Sequence, residues 1–370
     1  MRNPEWYQLL DTTNVISPSL LVYPDRIEKN IQRMVEMASG TGFLRPHIKT
    51  HKMAEIVQMQ MHHGIQKFKC ATIAEAELLA KCGATDILLA MQPVGANMGR
   101  FYRLMKTFPN SKFSTLVDNH KTLNEFIAES ESRNTKVTLW VDIDNGMNRT
   151  GIQVGNKTKE LYRKMVANKQ INAKGLHTYD GHIRNEDINE RKKICDAAFE
   201  PVIKLKADLE GDGLGPIEMV AGGSPTFPIH SKRSNIESSP GTTLLWDERY
   251  GISFKEMYFL TAAVLITRII SKPGTGLLCL DLGHKSVAPE MEFPRVKIFG
   301  LENCQQIGQS EEHLVVSCEG SDAHEVGDVF YAIPMHICPT VAKYESVSTV
   351  ENNVITGTWK VAARNQKITI

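Results

Sequence analysis

Charge imbalance is what this 370-residue sequence most lacks: 43 Lys and Arg stand against 42 Asp and Glu, for a formal net charge of +1. A nucleic-acid binder shows a basic excess or a concentrated basic stripe, and neither is present. The expected ligand is therefore a small molecule, with no nucleic-acid partner. A long apolar run is missing as well. The longest, from Phe259 to Ile270, is interrupted by Thr261, Thr267 and Arg268, and falls short of the roughly 20 residues that span a bilayer. No membrane segment is expected. The chain also has no internal repeat and no low-complexity linker. Its cysteines, Cys70, Cys82, Cys195, Cys279, Cys304, Cys318 and Cys338, are odd in number and scattered, and no N-terminal charged-then-apolar leader accompanies them. They read as reduced thiols of a cytoplasmic protein.

What the chain does have is length and rhythm. Its size allows two domains with sizeable cores, or one large barrel with an appended module. From residue 44 to about 245, β-branched or apolar runs alternate with helical patterns. The expected strands are Leu44–Thr50, Lys67–Thr72, Asp86–Met91, Lys112–Asp118, Lys136–Asp144, Ala173–Asp180, Glu218–Ser224 and Asn235–Thr243. Amphipathic stretches such as Ile73–Lys81, His120–Ser130 and Asn156–Asn168 lie between them, with apolar residues at spacings of three and four. Strict alternation implies parallel strands with right-handed crossovers, and eight such units imply an α/β fold closed as a (β/α)8 TIM barrel. A doubly wound open sheet is the competing architecture. After about residue 255 the strand-like segments Leu277–Asp281, Arg295–Leu301, His313–Cys318, Asp328–Ile333 and Val354–Ala362 follow one another without helices, which describes a C-terminal antiparallel β domain. The expected division is a barrel over residues 20–250 and a β domain over 255–370 together with residues 1–19. The strand Ser19–Tyr23 precedes a helical stretch, Asp25–Ala38, and is free to join the C-terminal sheet.

Lys49 sits in Arg45-Pro46-His47-Ile48-Lys49-Thr50-His51-Lys52. An extended strand puts residues 45, 47, 49 and 51 on one side, so Arg45, Lys49 and two histidines are expected on a common face. Desolvation and like charge favour the neutral, nucleophilic form of a lysine in such a place. A solvated basic turn explains the segment equally well when it is taken alone. On a barrel, however, the strand C-termini converge on one rim, and features far apart in sequence become neighbours. The sixth strand ends in His177-Thr178-Tyr179-Asp180-Gly181-His182, with His177 and Tyr179 on one face. The seventh is followed by Gly222-Gly223-Ser224-Pro225-Thr226 and the eighth by Pro240-Gly241-Thr242-Thr243. Glycines beside hydroxyl residues at these two corners suit a phosphate, because bare N–H groups can approach it and the hydroxyls can donate to it.

A lysine on the first strand facing a phosphate corner is the layout that pyridoxal phosphate requires, since the cofactor binds at both ends. Here the sequence resembles the fold-type III pyridoxal-phosphate enzymes, and among them the D-threonine aldolase and D-serine dehydratase family rather than alanine racemase. The likeness is carried in order by Arg45-Pro46-His47-x-Lys49-Thr50-His51-Lys52, Thr72-Ile73-Ala74-Glu75-Ala76-Glu77, Asp144-Asn145-Gly146-Met147-Asn148-Arg149-Thr150-Gly151, Gly222-Gly223-Ser224-Pro225-Thr226 and Ser239-Pro240-Gly241-Thr242. It runs from Ser17 to the C-terminus. The resemblance implies that Lys49 holds the cofactor, that Arg149 lies near its phenolic oxygen, and that Tyr179 lies against the pyridine ring. It also implies that Gly222, Gly223, Ser224, Gly241 and Thr242 hold the phosphate. Read without it, Arg149 is a surface ion pair and Tyr179 a core aromatic. Ser239 falls where alanine racemase keeps an arginine against the pyridine nitrogen. Losing that arginine suits chemistry that places more negative charge on the cofactor, so racemisation is disfavoured.

His336 and Cys338, in Pro334-Met335-His336-Ile337-Cys338-Pro339-Thr340, are two apart, and a strand would point both side chains the same way. Imidazole nitrogen and thiolate suit Zn²⁺, although a buried thiol beside a buried histidine is the simpler reading of two residues. The resemblance implies a divalent metal here, Zn²⁺ before Mn²⁺, with Met335 replacing an asparagine. The expected activity is elimination from a D-3-hydroxy amino acid, with Lys49 as base, His177 and Tyr179 as further catalytic residues, and a 2-oxo acid and ammonia as products. D-threonine aldolase cleavage is the alternative. An amino acid racemase and a non-catalytic pyridoxal-phosphate carrier are more remote, the carrier because such proteins lack a C-terminal β domain with a His-x-Cys element. The resemblance also implies a homodimer. All of this requires Lys49 and the His336–Cys338 pair to face one cavity.

Overall fold

The computed structural model describes residues 4–370; the first three residues of the terminal segment assigned above to the β domain lie outside them. By contacts the chain forms two compact units. One consists of Met34–Lys49, Val57–Gly241 and Asn365–Ile370, the other of the chain up to Arg33, Thr50–Ile56 and Thr242–Arg364.

Strand β1 (Ser19–Val22) belongs to the second unit. The first is built on β2 (Lys67–Cys70), β3 (Asp86–Leu89), β4 (Lys112–Val117), β5 (Val137–Asp144), β6 (Ile152–Gln153), β7 (Ile171–Thr178), β8 (Glu218–Ala221) and β9 (Glu237–Ser238). These strands are parallel, in the order β2-β3-β4-β5-β7-β8-β9, with β6 beside β5. Residues 43–48 close the ring. Arg45 N donates to Ser238 O on one side, and Ile48 N donates to Lys69 O on the other, at 2.9 and 3.0 Å. Parallel bridges join Leu44 to Ser238 and His47 to Lys69. The barrel is therefore the expected one, but its first stave is irregular because Pro46 carries no N–H for the ladder. The near-continuous buried runs, such as Ile87-Leu88-Leu89, are those of strands covered on both faces. Leu88, Leu116, Trp140 and Val220 fill the interior.

At the N-terminal ends of the strands the barrel is plugged by charge. Arg45 is fully buried, with Nε 2.6 Å from Glu237 and Nη1 2.6 Å from Asp86, while Lys67 Nζ reaches the second oxygen of Glu237 at 2.5 Å. Helix starts follow local capping rules: Thr72 accepts from Glu75 N, and Glu75 reaches back to Ala71 N.

The second unit is a nine-stranded sheet made from β1 and β10 (Ala263–Ser271), β11 (Leu277–Leu280), β12 (Val296–Ile298), β13 (Gln305–Gln309), β14 (Leu314–Ser317), β15 (Val329–Pro334), β16 (Ser346–Glu351) and β17 (Val354–Lys360). All pairings are antiparallel except β1 with β16. The apolar stretch Phe259–Ile270 becomes β10, a central strand between β1, β11 and β15. Its continuous burial hides the two-residue alternation that marks an edge-facing strand. Leu21, Tyr23, Val264, Ile266, Tyr331 and Val350 form one core cluster on this sheet. The last six residues pack in the barrel unit, where Thr369 N and Ile370 N donate to the Glu77 carboxylate at 3.1 and 3.2 Å.

One expectation is overturned. Cys304 and Cys318 are joined by a disulfide, with Cα atoms 4.5 Å apart, because the β13–β14 hairpin pairs Gln305 with Ser317 and brings the flanking residues together. Cys70, Cys82, Cys195, Cys279 and Cys338 are not joined in disulfides. Among the described residues no helix is long and apolar enough to cross a membrane.

Candidate active site

Lys49 occupies a turn over residues 48–51, just past the last ladder bond of the closing segment. The turn is held by Lys49 N donating to His47 Nδ1 at 3.2 Å. The single basic face expected from strand alternation does not form. Arg45 belongs to the plug at the opposite end of the stave, and extended geometry ends at His47. His51 is fully buried with Nε2 unpartnered, and burial, reinforced by the charge of Lys52, pushes its pKa down to about 3.

Tyr179, directly after β7, is the hub of the barrel rim. Its ring centroid lies 5.3 Å from Lys49 Nζ, 4.7 Å from Arg149 Cζ and 6.0 Å from Lys69 Nζ. Three cations thus surround one aromatic ring, an arrangement favoured by the quadrupole of the ring and disfavoured by their mutual repulsion. Arg149 extends from a loop fixed at its root: Asp144 Oδ1 accepts from Gly146 N and Asn148 N, and Asp118 Oδ2 accepts from Gly151 N. His177, on β7, is buried between Asp142 and Lys69, with Nδ1 2.7 Å from Asp142 Oδ1 and Nε2 3.4 Å from Lys69 Nζ. Burial, then the charge of Lys69, hold its pKa below the usual imidazole value despite Asp142. Lys69 escaped the sequence reading. Its only signal is a second lysine in Lys67-Phe68-Lys69-Cys70, placed by strand alternation inside a closed barrel.

The Gly222–Thr226 turn requires its glycines. Gly222 has φ +79°, and a Cβ there would meet His230 Cδ2 at 2.6 Å; on Gly223 it would meet Tyr179 Cε2 at 2.9 Å. Gly223 N donates to Thr226 Oγ1, which donates to Asp180 Oδ1 at 2.7 Å. Asp180 Oδ2 holds His230 Nε2, also at 2.7 Å. Asp180, His230 and Cys195 form the one cluster of three potential metal donors within 4.8 Å of one another found among the described residues, and all three are buried. No pairing of His230 was foreseen, since its partners lie 35 and 50 residues away. Gly241 N donates to Ser224 Oγ at 3.1 Å, tying the turns that follow β8 and β9 together. The hydroxyls of Thr178, Ser238 and Ser239 are buried without a hydrogen-bond partner, a state that a polar bound group would relieve.

In the other unit, His336 and Cys338 are not on a strand. β15 ends at Pro334, His336 is the N-cap of the short helix Ile337–Val341, and Pro339 fits within its first turn. The two side chains still meet. Burial would depress the His336 pKa, but its hydrogen bond with Cys338 and the charges nearby raise it to about 9. His336 Nδ1 lies 2.5 Å from Glu290 Oε1. Cys338 Sγ is 3.1 Å from the hydroxyl of Thr50, the residue after Lys49 in the chain, and 3.7 Å from that of Thr242. Asp247, fully buried, accepts from Ile337 N at 3.1 Å, and burial pushes its pKa up to about 6. A soft–borderline donor pair that is partly open to solvent, with carboxylates behind it, is the chemistry of a metal site with free coordination positions.

A closed parallel barrel with a lysine and a glycine–hydroxyl corner at its rim, followed by an antiparallel β domain, defines an alanine-racemase-type barrel enzyme. The family "Alanine racemase, N-terminal domain" matches residues 22–247, and the chain belongs to it; a serine dehydratase domain matches residues 262–350. The chain is 26% identical over 370 residues to a 3-hydroxy-D-aspartate aldolase of Paracoccus denitrificans (strain Pd 1222), covering 96% of this chain and 94% of that protein. It is 26% identical over 360 residues to a D-threonine aldolase of Arthrobacter sp, covering 95% and 93%. The crystal structure of D-threonine aldolase from Filomicrobium marinum superposes with a TM-score of 0.87 at 24% identity, covering 98% of this chain and 99% of that one.

Proposed function

We propose that the protein is a pyridoxal-phosphate- and divalent-metal-dependent lyase acting on D-3-hydroxy amino acids. The observation that carries this reading is the Tyr179 ring, 5.3 Å from Lys49 Nζ and 4.7 Å from Arg149, with the Gly223 backbone packed against it. In this reading Lys49 holds the cofactor, Tyr179 lies against its ring, and Arg149 faces its phenolic oxygen. Gly222, Gly223, Ser224, Gly241 and Thr242 take its phosphate. The partnerless buried hydroxyls of Thr178, Ser238 and Ser239 fit such an occupant. Bound there, pyridoxal phosphate supplies an electron sink for charge developed at the substrate α-carbon. Lys49 Nζ is the group that would take the substrate α-proton. His177 is a further catalytic residue, its imidazole oriented by Asp142. His336 and Cys338 would hold a divalent ion, Zn²⁺ before Mn²⁺ given an imidazole and a thiolate, and the ion would supply Lewis acidity toward the substrate β-hydroxyl. A cytoplasmic homodimer completes the reading; sedimentation that returns only monomer removes the dimer.

Elimination is the outcome argued from Cys338, with D-serine giving pyruvate and ammonia. Retro-aldol cleavage has its own support, since the relatives matched at 26% identity over nearly the whole chain are named as aldolases. Incubation with D-threonine separates the two. 2-Oxobutyrate with ammonia supports elimination, glycine with acetaldehyde replaces it by cleavage, and turnover to neither set of products sinks the lyase reading.

A further inference from the structure

A line of charged groups begins at Lys69, whose Nζ lies 6.0 Å from the centroid of the Tyr179 ring. Lys69 is 2% exposed, His177 3% and Asp142 6%. They stand in line: Lys69 Nζ is 3.4 Å from His177 Nε2, and His177 Nδ1 is 2.7 Å from Asp142 Oδ1. A lysine in a barrel interior is costly unless a carboxylate pairs with it. Here the hydrogen bond of its side chain goes to an imidazole, and the carboxylate lies one residue further along the line. With Lys69 donating to Nε2 and Nδ1–H donating to Asp142, the imidazole is locked in one tautomer and the three groups sum to zero charge. When Lys69 gives up its proton, the same line carries a net negative charge near the aromatic ring.

We propose that Lys69 is a positioning residue which, with His177 and Asp142, forms a buried relay whose proton content sets the charge beside Tyr179 and hence the state of the cofactor held against that ring. This rests on the pyridoxal-phosphate reading given above. The groups facing Lys69 come from every neighbouring element: Lys49 and Arg45 from the closing segment, Asp142 from β5, His177 from β7, and Asp180 and Tyr179 beyond it, with Arg149 acting on His177. Burial first, then Lys49, pull the Lys69 pKa down to about 7 against the pull of Asp142 and Asp180. The relay therefore changes charge within the range where enzymes work, rather than near the ordinary lysine value.

The test compares Lys69→Met, which fills the same volume without charge, and Lys69→Arg, which keeps the charge at all accessible pH values. In the cofactor-loaded wild type, the visible absorbance is expected to titrate with an inflection near pH 7. Lys69→Met is expected to lose the inflection and to show the high-pH form throughout. Lys69→Arg is expected to lose it and to show the low-pH form throughout. An inflection that survives in both variants overturns the proposal. A second measurement needs no cofactor. In the apo-protein, the unfolded chain protonates Lys69 below about pH 10.4, whereas the folded chain does so only below about 7. Wild-type stability relative to Lys69→Met should therefore rise between those limits and level off below them. A pH-independent gap overturns the buried-proton claim by itself. The expected gap in a protein that never develops the cofactor absorbance removes the lyase reading, and the relay's proposed role with it.

Discussion

His230 Nε2 lies 2.7 Å from Asp180 Oδ2, both side chains fully enclosed, and the other oxygen of Asp180 holds the Thr226 hydroxyl that receives Gly223 N. The Gly222–Thr226 turn is thus braced by one carboxylate. Burial alone would raise the Asp180 pKa, but the hydrogen bonds from His230 and Thr226 outweigh it and bring it below the ordinary value. This contribution is complete above the ordinary carboxylate pKa and is lost as pH falls through the depressed folded value. Asp180→Ala is expected to cost about 3–5 kcal/mol in denaturant unfolding, as for other broken buried pairs. Asp180→Asn keeps the shape and should weaken cofactor binding about tenfold, or about 1.4 kcal/mol. Unchanged cofactor affinity in the Asn variant would mean that the brace does not reach the turn.

The roles proposed for Lys49 and Cys338 are separable by mutation. Lys49→Ala is expected to abolish the visible absorbance of the added cofactor and to lower turnover at least about 1,000-fold, as when a catalytic group is deleted. Cys338→Ala should keep the absorbance and lose about 100-fold in metal-stimulated turnover. Full activity in excess chelator would remove the metal from the mechanism.

The barrel was legible in the sequence because its signal is redundant: seven of the eight strands between β2 and β9 or their close equivalents could be read from β-branched runs, and parallel closure follows from their alternation with helices. The stave carrying Lys49 was less so, since Pro46 and the 48–51 turn break the alternation on which a common face for Arg45, His47, Lys49 and His51 depended. β10 went unread as a strand because a strand buried on both faces has no period of two, and β13 and β16 because they are short of apolar residues or mixed. Pairs such as Asp180–His230 and Lys69–His177 join residues 50 and 108 apart. No local spacing rule finds such partners; only the barrel geometry does.

His51 sets part of the acid stability. Its ring is fully buried with Nε2 unpartnered, and its folded pKa is about 3, whereas the unfolded chain binds the proton near 6.5. Between those limits the unfolded state holds more protons, so stability falls as pH falls, by up to about 1.4 kcal/mol per pH unit. His51→Leu removes this slope. It also removes the acceptor for Met53 N, a loss of about 1 kcal/mol at neutral pH. The two stability curves are therefore expected to cross on acidification. Parallel curves from pH 7 to pH 4 would show that the ring takes up its proton in the folded state.

The Cys304–Cys318 bond closes a loop of 14 residues on the β13–β14 hairpin. Loops of about this length are worth about 3 kcal/mol through the lost freedom of the unfolded chain. Reduction, or Cys318→Ser, should lower unfolding free energy by that order while leaving the cofactor absorbance intact, because both cysteines belong to the β sheet rather than to the barrel. Alkylation of the denatured, unreduced protein is expected to modify five of the seven cysteines, and all seven after reduction. Seven modified residues before any reductant is added would restore the all-thiol reading taken from their odd number and scatter.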